Sequence, residues 1–478
     1  MLRITGVKLP LSYKEQDLCR RAADLLGVPV LSCRLRRRAV DARKKDNVHF
    51  TATLDVTVEN EDKALRRTKA GVTRVEETPY VISAPAARPD LPPVVVGSGP
   101  AGLFAALTLA KAGVHPILLE RGGDVDSRRA AVDLFHRTGV LDTASNVQFG
   151  EGGAGTFSDG KLNSGIKDPR CRRVLEQFVE AGAPQEILWQ AKPHIGTDKL
   201  QDTVRGLRNE IIRLGGQVHF YHQVTDLVVE QGVLTALLVT TPEGETEIPC
   251  RQVILAIGHS ARDTAAMLYR RGLPMEQKPF AVGVRVEHPR EMIDQSQYGP
   301  AAGHPALGAA DYKLSCRPAG GRGVYSFCMC PGGTVVAAAS EEGMVAVNGM
   351  SEFARDAANS NSALLVGVEP GDFGSEHPLA GFEFQRKMER AAYTLGGGGY
   401  RAPAQLVGDF LRDKASAGMG EVMPSYQPGV TWCDLRECLP SFVAGSLKAA
   451  LPIFGRQIAG FDRHDAVLTG VESRSSSP

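Results

Sequence analysis

Three features of this 478-residue chain predict an α/β fold built in three parts. The first is Val94–Arg121, VVVGSGPAGLFAALTLAKAGVHPILLER. A short β-branched run enters a glycine turn, an alanine- and leucine-rich helix follows to about Ala112, and a second apolar strand, Ile117–Leu119, ends on Glu120. The second is Ser83–Pro93, SAPAARPDLPP, a proline- and alanine-rich linker that sets off everything before it. The third is the strand- and glycine-rich character of the chain from about Met275 to Asn348. Together they predict a Rossmann-like domain over residues 89–275, preceded by a small ferredoxin-like α/β domain over 1–88 and followed by an inserted, sheet-rich domain over 276–478.

In the first part a strand at Leu2–Val7 precedes a helix from Ser12 to Leu26, and alternating runs near Cys33–Val40 and Val48–Val58 predict two paired strands. This part is basic, with 18 Lys/Arg against 11 Asp/Glu, whereas the remainder carries 37 against 43. Arg34, Arg36, Arg37, Arg38, Arg43, Lys44 and Lys45 put seven positive charges into twelve residues, a density that can follow a phosphate backbone. Strand alternation sets Arg36 and Arg38 opposite Arg37, and no aromatic residues interleave. A solvated strand face is therefore the first expectation and an RNA-docking face the alternative. Beyond the linker the pattern predicts an amphipathic helix over 197–214, a strand at Gln217–Phe220, and a hairpin of Thr225–Val229 with Leu234–Thr240. A turn at Pro242–Gly244 then leads to a last apolar strand, Val253–Ile257. Helical periodicity returns at Glu383–Leu395 and Pro403–Asp413.

The glycines at 97, 99 and 102 have separate physical tasks. Gly97 permits the tight turn, Gly99 lets backbone approach a pyrophosphate, and Gly102 lets the helix sit close to the strand so that its N–H groups and dipole face the phosphates. Glu120 at the tip of the second strand is placed to accept from ribose hydroxyls. A second triplet, Gly150, Gly152 and Gly155, lacks the strand and helix around it, so no second nucleotide unit is expected. The chain reads as a dinucleotide-binding protein.

Other classes are excluded by composition. Forty-three per cent apolar and 23% charged residues match a folded globular chain, and no apolar run approaches the roughly 18 residues that a membrane span needs. The amino terminus lacks the apolar core of a signal peptide. Nine scattered cysteines do not form a disulfide framework, so a reduced, cytoplasmic setting is expected. Cys328 and Cys330 form a C-x-C on one strand face, with Cys433 and Cys438 as conceivable partners. Two thiols do not fill a tetrahedral metal site, and buried small side chains are the first expectation.

Three further segments narrow the cofactor. FGEGGAGTFSDGKL, Phe149–Leu162, offers bare backbone beside Thr156 and Ser158 for a flat or anionic ligand. Gln217–Thr225 places Val224 where backbone touches an adenine edge. VILAIGH, Val253–His259, ends a strand on Gly258, where the chain passes close to the cofactor. His259 is a candidate proton donor and Lys161 a weaker candidate beside it. Lys192 and His194 could orient an anion ahead of a helix capped by Thr197, and Arg285 and His288 are further substrate-contact candidates.

These segments, with KPHIGTDKL (192–200), KPFAVGVRVEHP (278–289), YSFCMCPGG (325–333), NGMS (348–351), NSALLV (361–366) and GFDRHDAVLTGVESRSSSP (460–478), resemble the bacterial FAD-dependent dehydrogenases that carry a distinctive C-terminal domain. Such proteins are similar in fold to the glutathione-reductase-like flavoproteins. The resemblance implies that Gly97, Ser98, Gly99, Gly102, Glu120 and Arg121 hold the pyrophosphate and adenosine ribose of FAD. It implies that Gly152, Gly153, Gly155 and Thr156 approach the ribityl or isoalloxazine part, with Val224 at the adenine and Gly258 beside the cofactor. It also implies a further strand and glycine-rich turn after the Ser-Ser-Pro run, where this sequence stops; the expectation is a less enclosed flavin. The leading expectation is an FAD-dependent oxidoreductase of the dehydrogenase type, acting on a small molecule with NAD(P)H as transient co-substrate. The alternatives are an RNA-modifying or RNA-binding flavoprotein, and a truncated FAD-binding protein without catalysis. The substrate and the oligomeric state are not legible.

Overall fold

The computed structural model describes residues 1–67, 71–77 and 80–474; the final serines and proline of the 460–478 segment lie outside the described residues. The amino-terminal module runs strand Leu2–Leu9, helix Gln16–Leu26, strands Ser32–Asp41 and His49–Thr57, helix Glu61–Arg67 and strand Val72–Arg74. Its sheet is antiparallel, with 49–57 beside 2–9 and 72–74 closing the far edge, which is the ferredoxin-like arrangement. The first helix begins at Gln16 rather than Ser12, because Asp17 accepts the Lys14 N–H and fixes a turn ahead of it. It presents Leu18, Ala22 and Leu26 to Ile4, Phe50 and Leu54, and ends where Gly27 takes a left-handed conformation.

The basic run is largely solvated, as expected: Arg34, Arg37, Arg43, Lys44 and Lys45 are exposed, and Arg36 and Arg38 are half-buried. The strand is bulged between Leu35 and Arg37. Arg38 donates its backbone N–H to the Trp189 carbonyl at 2.7 Å, and its guanidinium lies between the rings of Phe50 and Trp189. Arg34 bonds Glu77 and Arg43 bonds Asp41. Arg38 therefore fastens the module to the next domain, whereas Arg37 remains exposed.

The second unit is a parallel sheet ordered 253–255, 94–96, 117–119, 217–219. Helices Pro100–Lys111 and Thr197–Arg213 cover one face through Leu103, Leu107, Leu200, Val204 and Leu207. The other face meets an antiparallel meander, 223–230, 233–241 and 244–249, through Val94, Val96, Leu119, Val224, Leu237 and Val239. Apolar side chains on both faces are what a parallel sheet requires. The turn at Pro242–Gly244 closes a second hairpin before 253 is reached, a strand that its polar sequence GETEIP concealed.

The third unit is a seven-stranded sheet ordered 315–316, 324–330, 359–368, 280–289, 467–472, 402–406, 430–432. Its central strands, Phe280–Pro289 and Asn359–Val368, are buried nearly end to end. Helices Ala380–Leu395 and Ser441–Gln457 lie against it. The helix expected over Pro403–Asp413 is instead strand Ala402–Leu406 followed by the short helix Val407–Leu411. The helical spacing is overridden because Ala404–Leu406 pair with Val467–Thr469 in the sheet. Among the described residues no helix is long and apolar enough to cross a membrane.

Candidate functional site

The strand Val94–Val96 delivers the chain into a turn whose shape depends on two missing side chains. Gly97 has φ +99°, and a Cβ there would lie 2.5 Å from the Ala256 carbonyl oxygen. At Gly102 a Cβ would fall 1.7 Å from the Gly97 carbonyl oxygen, so the helix rests directly on the turn. Gly99 is the helix N-cap, with no side chain capping the first turn and Pro100 at the first helical position. The positive end of the helix is thus offered to a ligand.

That helix end opens on a cleft of about 740 Å³. Gly97, Gly99, Glu120, Arg121, Gly153, Gly155, Val224, Gly258 and His259 all line it, brought together from five segments of the chain. Ser98, Gly102, Gly152 and Thr156 stand behind that wall. The Thr156 hydroxyl donates to the Glu151 carbonyl, and Gly152 donates its N–H to the Ser98 carbonyl. Gly153 sits so close to the first turn that a Cβ would come within 2.9 Å of Gly99 Cα.

Glu120 has a use beyond the one its position suggests. One carboxylate oxygen accepts from the Ser98 N–H and hydroxyl, both at 2.8 Å, and the other from the Gly122 and Gly150 N–H groups, both at 3.0 Å. The four acceptor directions of the carboxylate are occupied, so Glu120 knots both glycine loops together. A ribose hydroxyl has to share an acceptor already in use. Arg121 lies over the Phe149 ring at 4.3 Å and is paired with Asp263 at 3.0 Å. Sequence reasoning missed Arg128, whose fully buried guanidinium donates to the carbonyls of Asn146, Val147 and Glu151 and so holds the 146–151 loop. Burial lowers it to about 10, still protonated at neutral pH. Nothing in its helical context distinguishes it from a surface arginine.

His259 faces the cleft next to a buried ionic knot. Glu389 accepts from Arg262 and Arg474, while Arg474 also donates to Ser260 and Ser340. Burial first, then Arg474 and Arg262, lower His259 to about 4. At neutral pH its ring is therefore uncharged, so a proton given up by His259 has to come from the neutral imidazole N–H.

The remaining candidates lie elsewhere. Lys192 pairs with Asp311 at 2.6 Å, and His194 is bonded to the Phe353 carbonyl and stacked on that ring. The N-cap expected of Thr197 is Gly196; the Thr197 hydroxyl donates to the Thr156 carbonyl instead. His288 is fully buried against Phe461 and touches no open space, so it contacts no substrate. Cys433 and Cys438 each bond a nearby carbonyl, of Ala404 and Leu435. Lys161 and Arg285 converge away from His259, on Cys330.

An open helix end, a glycine-walled cleft and the parallel sheet beneath them define the class: a protein that binds a dinucleotide. A family model described as an FAD binding domain matches residues 90–277, and one described as FAD-dependent protein, C-terminal domain-like, matches 279–475. A domain of unknown function matches residues 1–57. A protein of Clostridium beijerinckii named "Uncharacterized protein" is 47% identical over 484 residues, covering 100% of this chain and 90% of its own. The chain belongs to the family of FAD-dependent proteins that join these two domains. Among solved structures, a flavoprotein/dehydrogenase from Cytophaga hutchinsonii overlaps 65% of this chain and 62% of its own at 14% identity, with a TM-score of 0.30. The OxyS anhydrotetracycline hydroxylase from Streptomyces rimosus overlaps 59% and 47% at 20% identity, with a TM-score of 0.28. This chain thus spans less than two thirds of either solved relative.

Proposed function

We propose that the cleft holds FAD in an extended pose and that the chain transfers hydride between NAD(P)H and a small apolar substrate. The observation that carries the reading is the uncapped end of helix Pro100–Lys111 opening, through the bare backbone of Gly99, onto a cleft of about 740 Å³. Arg121, Phe149 and Val224 form the end suited to adenosine, and Gly153 and Gly155 the end suited to the flavin. FAD supplies the two-electron chemistry when bound. The chain's own residues orient it: the helix end balances the pyrophosphate charge, Glu120 fixes both glycine loops, and neutral His259 offers a hydrogen bond rather than a charge. The packing of Arg38 against Phe50 and Trp189, where it fastens the first module to the next, gives part of the basic run a structural use and supports the small-molecule reading.

Purified protein is expected to be yellow and to release FAD on heating. Gly99 has φ −65°, which valine adopts, so Gly99→Val should fold and yet lose at least tenfold in FAD affinity, by flavin fluorescence titration. Undiminished affinity in that variant contradicts the pose. Failure of both NADH and NADPH to bleach the flavin anaerobically removes the nicotinamide donor.

A further inference from the structure

A second reactive centre lies on strand Val324–Cys330. Its pairing with Asn359–Val368 is regular to Phe327 opposite Ala363, then slips so that Cys330 faces Asn361. At the slip Cys328 takes φ +41°, in the left-handed region. At this irregularity the Cys330 thiol donates to the Cys328 backbone carbonyl at 3.3 Å, so the two cysteines are held side by side on the bulge. Cys330 is fully buried, whereas Cys328 is half-buried beside exposed Phe327.

Two cations are fixed on this pair. Arg285 approaches Cys330 Sγ to 3.7 Å and Lys161 Nζ to 4.0 Å. Arg285 is fully buried and donates to Glu472, to Asn361 Oδ1 and to the Cys328 carbonyl, each at 2.8 Å. Lys161 is 3.3 Å from Asp159, which also holds Arg355. Lys161, Arg285 and Arg355 thus meet the two carboxylates of Asp159 and Glu472, one negative charge short. A thiolate on the cysteine pair would supply it. Gly349 keeps the space open, since a Cβ there would lie 2.3 Å from the Arg285 guanidinium. Asn361 Nδ2, fully buried beside Arg285, has no partner.

We propose that Cys328 and Cys330 form a redox-active dithiol that reduces low-molecular-weight disulfides, with Cys328 as nucleophile, Cys330 as resolving thiol, and Lys161 and Arg285 as positioning residues. The inference is independent of the cofactor pose. Interaction between the two thiols, with the Lys161 and Arg285 cations beside them, lowers the first ionisation of the pair and raises the second, against the opposing effect of burial on the first. The Cys328 thiolate attacks one sulfur of RSSR; a mixed disulfide forms, and RS⁻ leaves and takes a proton from solvent. Cys330 then gives up its proton and attacks Cys328 Sγ, expelling the second RS⁻, which is protonated in turn. The sum is RSSR plus dithiol giving two RSH and a Cys328–Cys330 disulfide, a transfer of two electrons and two protons.

Tryptic cleavage after Arg322 and Arg355 yields a peptide containing Cys328 and Cys330 and no other cysteine. After incubation of the native protein with oxidised glutathione and alkylation in denaturant, that peptide should be two hydrogens lighter and unalkylated, and dithiothreitol should restore double alkylation. Cys330→Ser should accumulate a glutathione adduct on Cys328, and Cys328→Ser none. Lys161→Met should slow oxidation about tenfold at pH 7 and raise the pH midpoint of the rate by about one unit, with the parent rate recovered at pH 9. The charged and titratable groups facing Lys161 are Asp159, Arg355 and His194, and those facing Arg285 are Glu472 and Tyr312. Lys161→Met also removes a charge that lowers Asp159 and His194, so a variant at His194, His194→Gln, run alongside should leave the rate midpoint in place. A peptide that stays doubly alkylated, or Cys330→Ser without adduct, overturns the proposal.

Discussion

At the scale of single residues, His288 shows how burial decides a group's chemistry. Its Nε2 is bonded to the Phe461 carbonyl, Nδ1 has no partner, and burial lowers it to about 4. The unfolded chain takes up this proton near pH 6.5, whereas the folded one resists until about pH 4. Its stabilising contribution is therefore complete above the unfolded value and is lost as pH falls through that window. Between pH 7 and pH 5 the loss is about 2 kcal/mol. Urea unfolding at the two pH values should show it, and His288→Gln should shrink the difference; an unchanged pH dependence in the variant refutes the assignment. The same physics keeps His259 uncharged at neutral pH. The sequence marked both histidines by motif, but whether a histidine carries charge depends on neighbours such as Arg474, 215 positions away.

At the scale of elements, the glycine turn and its helix were legible because their constraints are local. The strand Ile117–Leu119 lies where its apolar run and terminal acid placed it. The helix ends at Lys111, one residue short of the expected limit. Gly102 tests that unit: Gly102→Val puts branched carbon onto the Gly97 carbonyl, with no flexible side chain to yield. Overpacking of this kind costs about 1–3 kcal/mol or more, so thermal unfolding should drop by several degrees and FAD retention with it. Gly445→Ala, with nothing within 4 Å, is the control. Elements were misread where locality failed. Pro403–Asp413 had helical spacing, yet Ala404 and Leu406 are pinned opposite Thr469 and Val467, a strand more than sixty residues on.

At the scale of the whole molecule, three units are joined by polar contacts that no local pattern announces. Arg38 pairs the first module to Trp189. Glu389 holds Arg262 of the FAD-binding unit and Arg474 at the end of the described chain. The two arginines keep the Glu389 carboxyl far below its ordinary value against the opposing effect of full burial. Glu389→Gln leaves two buried cations short of a partner and should cost about 3–5 kcal/mol, read as a lower denaturant midpoint. Because Arg474 also bonds Ser260, next to His259, the variant should raise the flavin dissociation rate as well. A stable variant with unaltered flavin release removes the knot from any role in shaping the cleft.

Local pattern alone sufficed for the dinucleotide turn and the strand–helix start of the first module, because strand, turn and helix signals act over a few residues and glycine has few substitutes where φ is positive. The family and FAD came from the resemblance of segments spread along the whole chain. Tertiary structure decided the rest. It made Glu120 a knot as well as a strand tip, neutralised His259, and drew Lys161 and Arg285 onto the C-x-C pair. Each of those outcomes is set by burial and by charges far apart in the chain, and both come into existence only when distant segments are packed together.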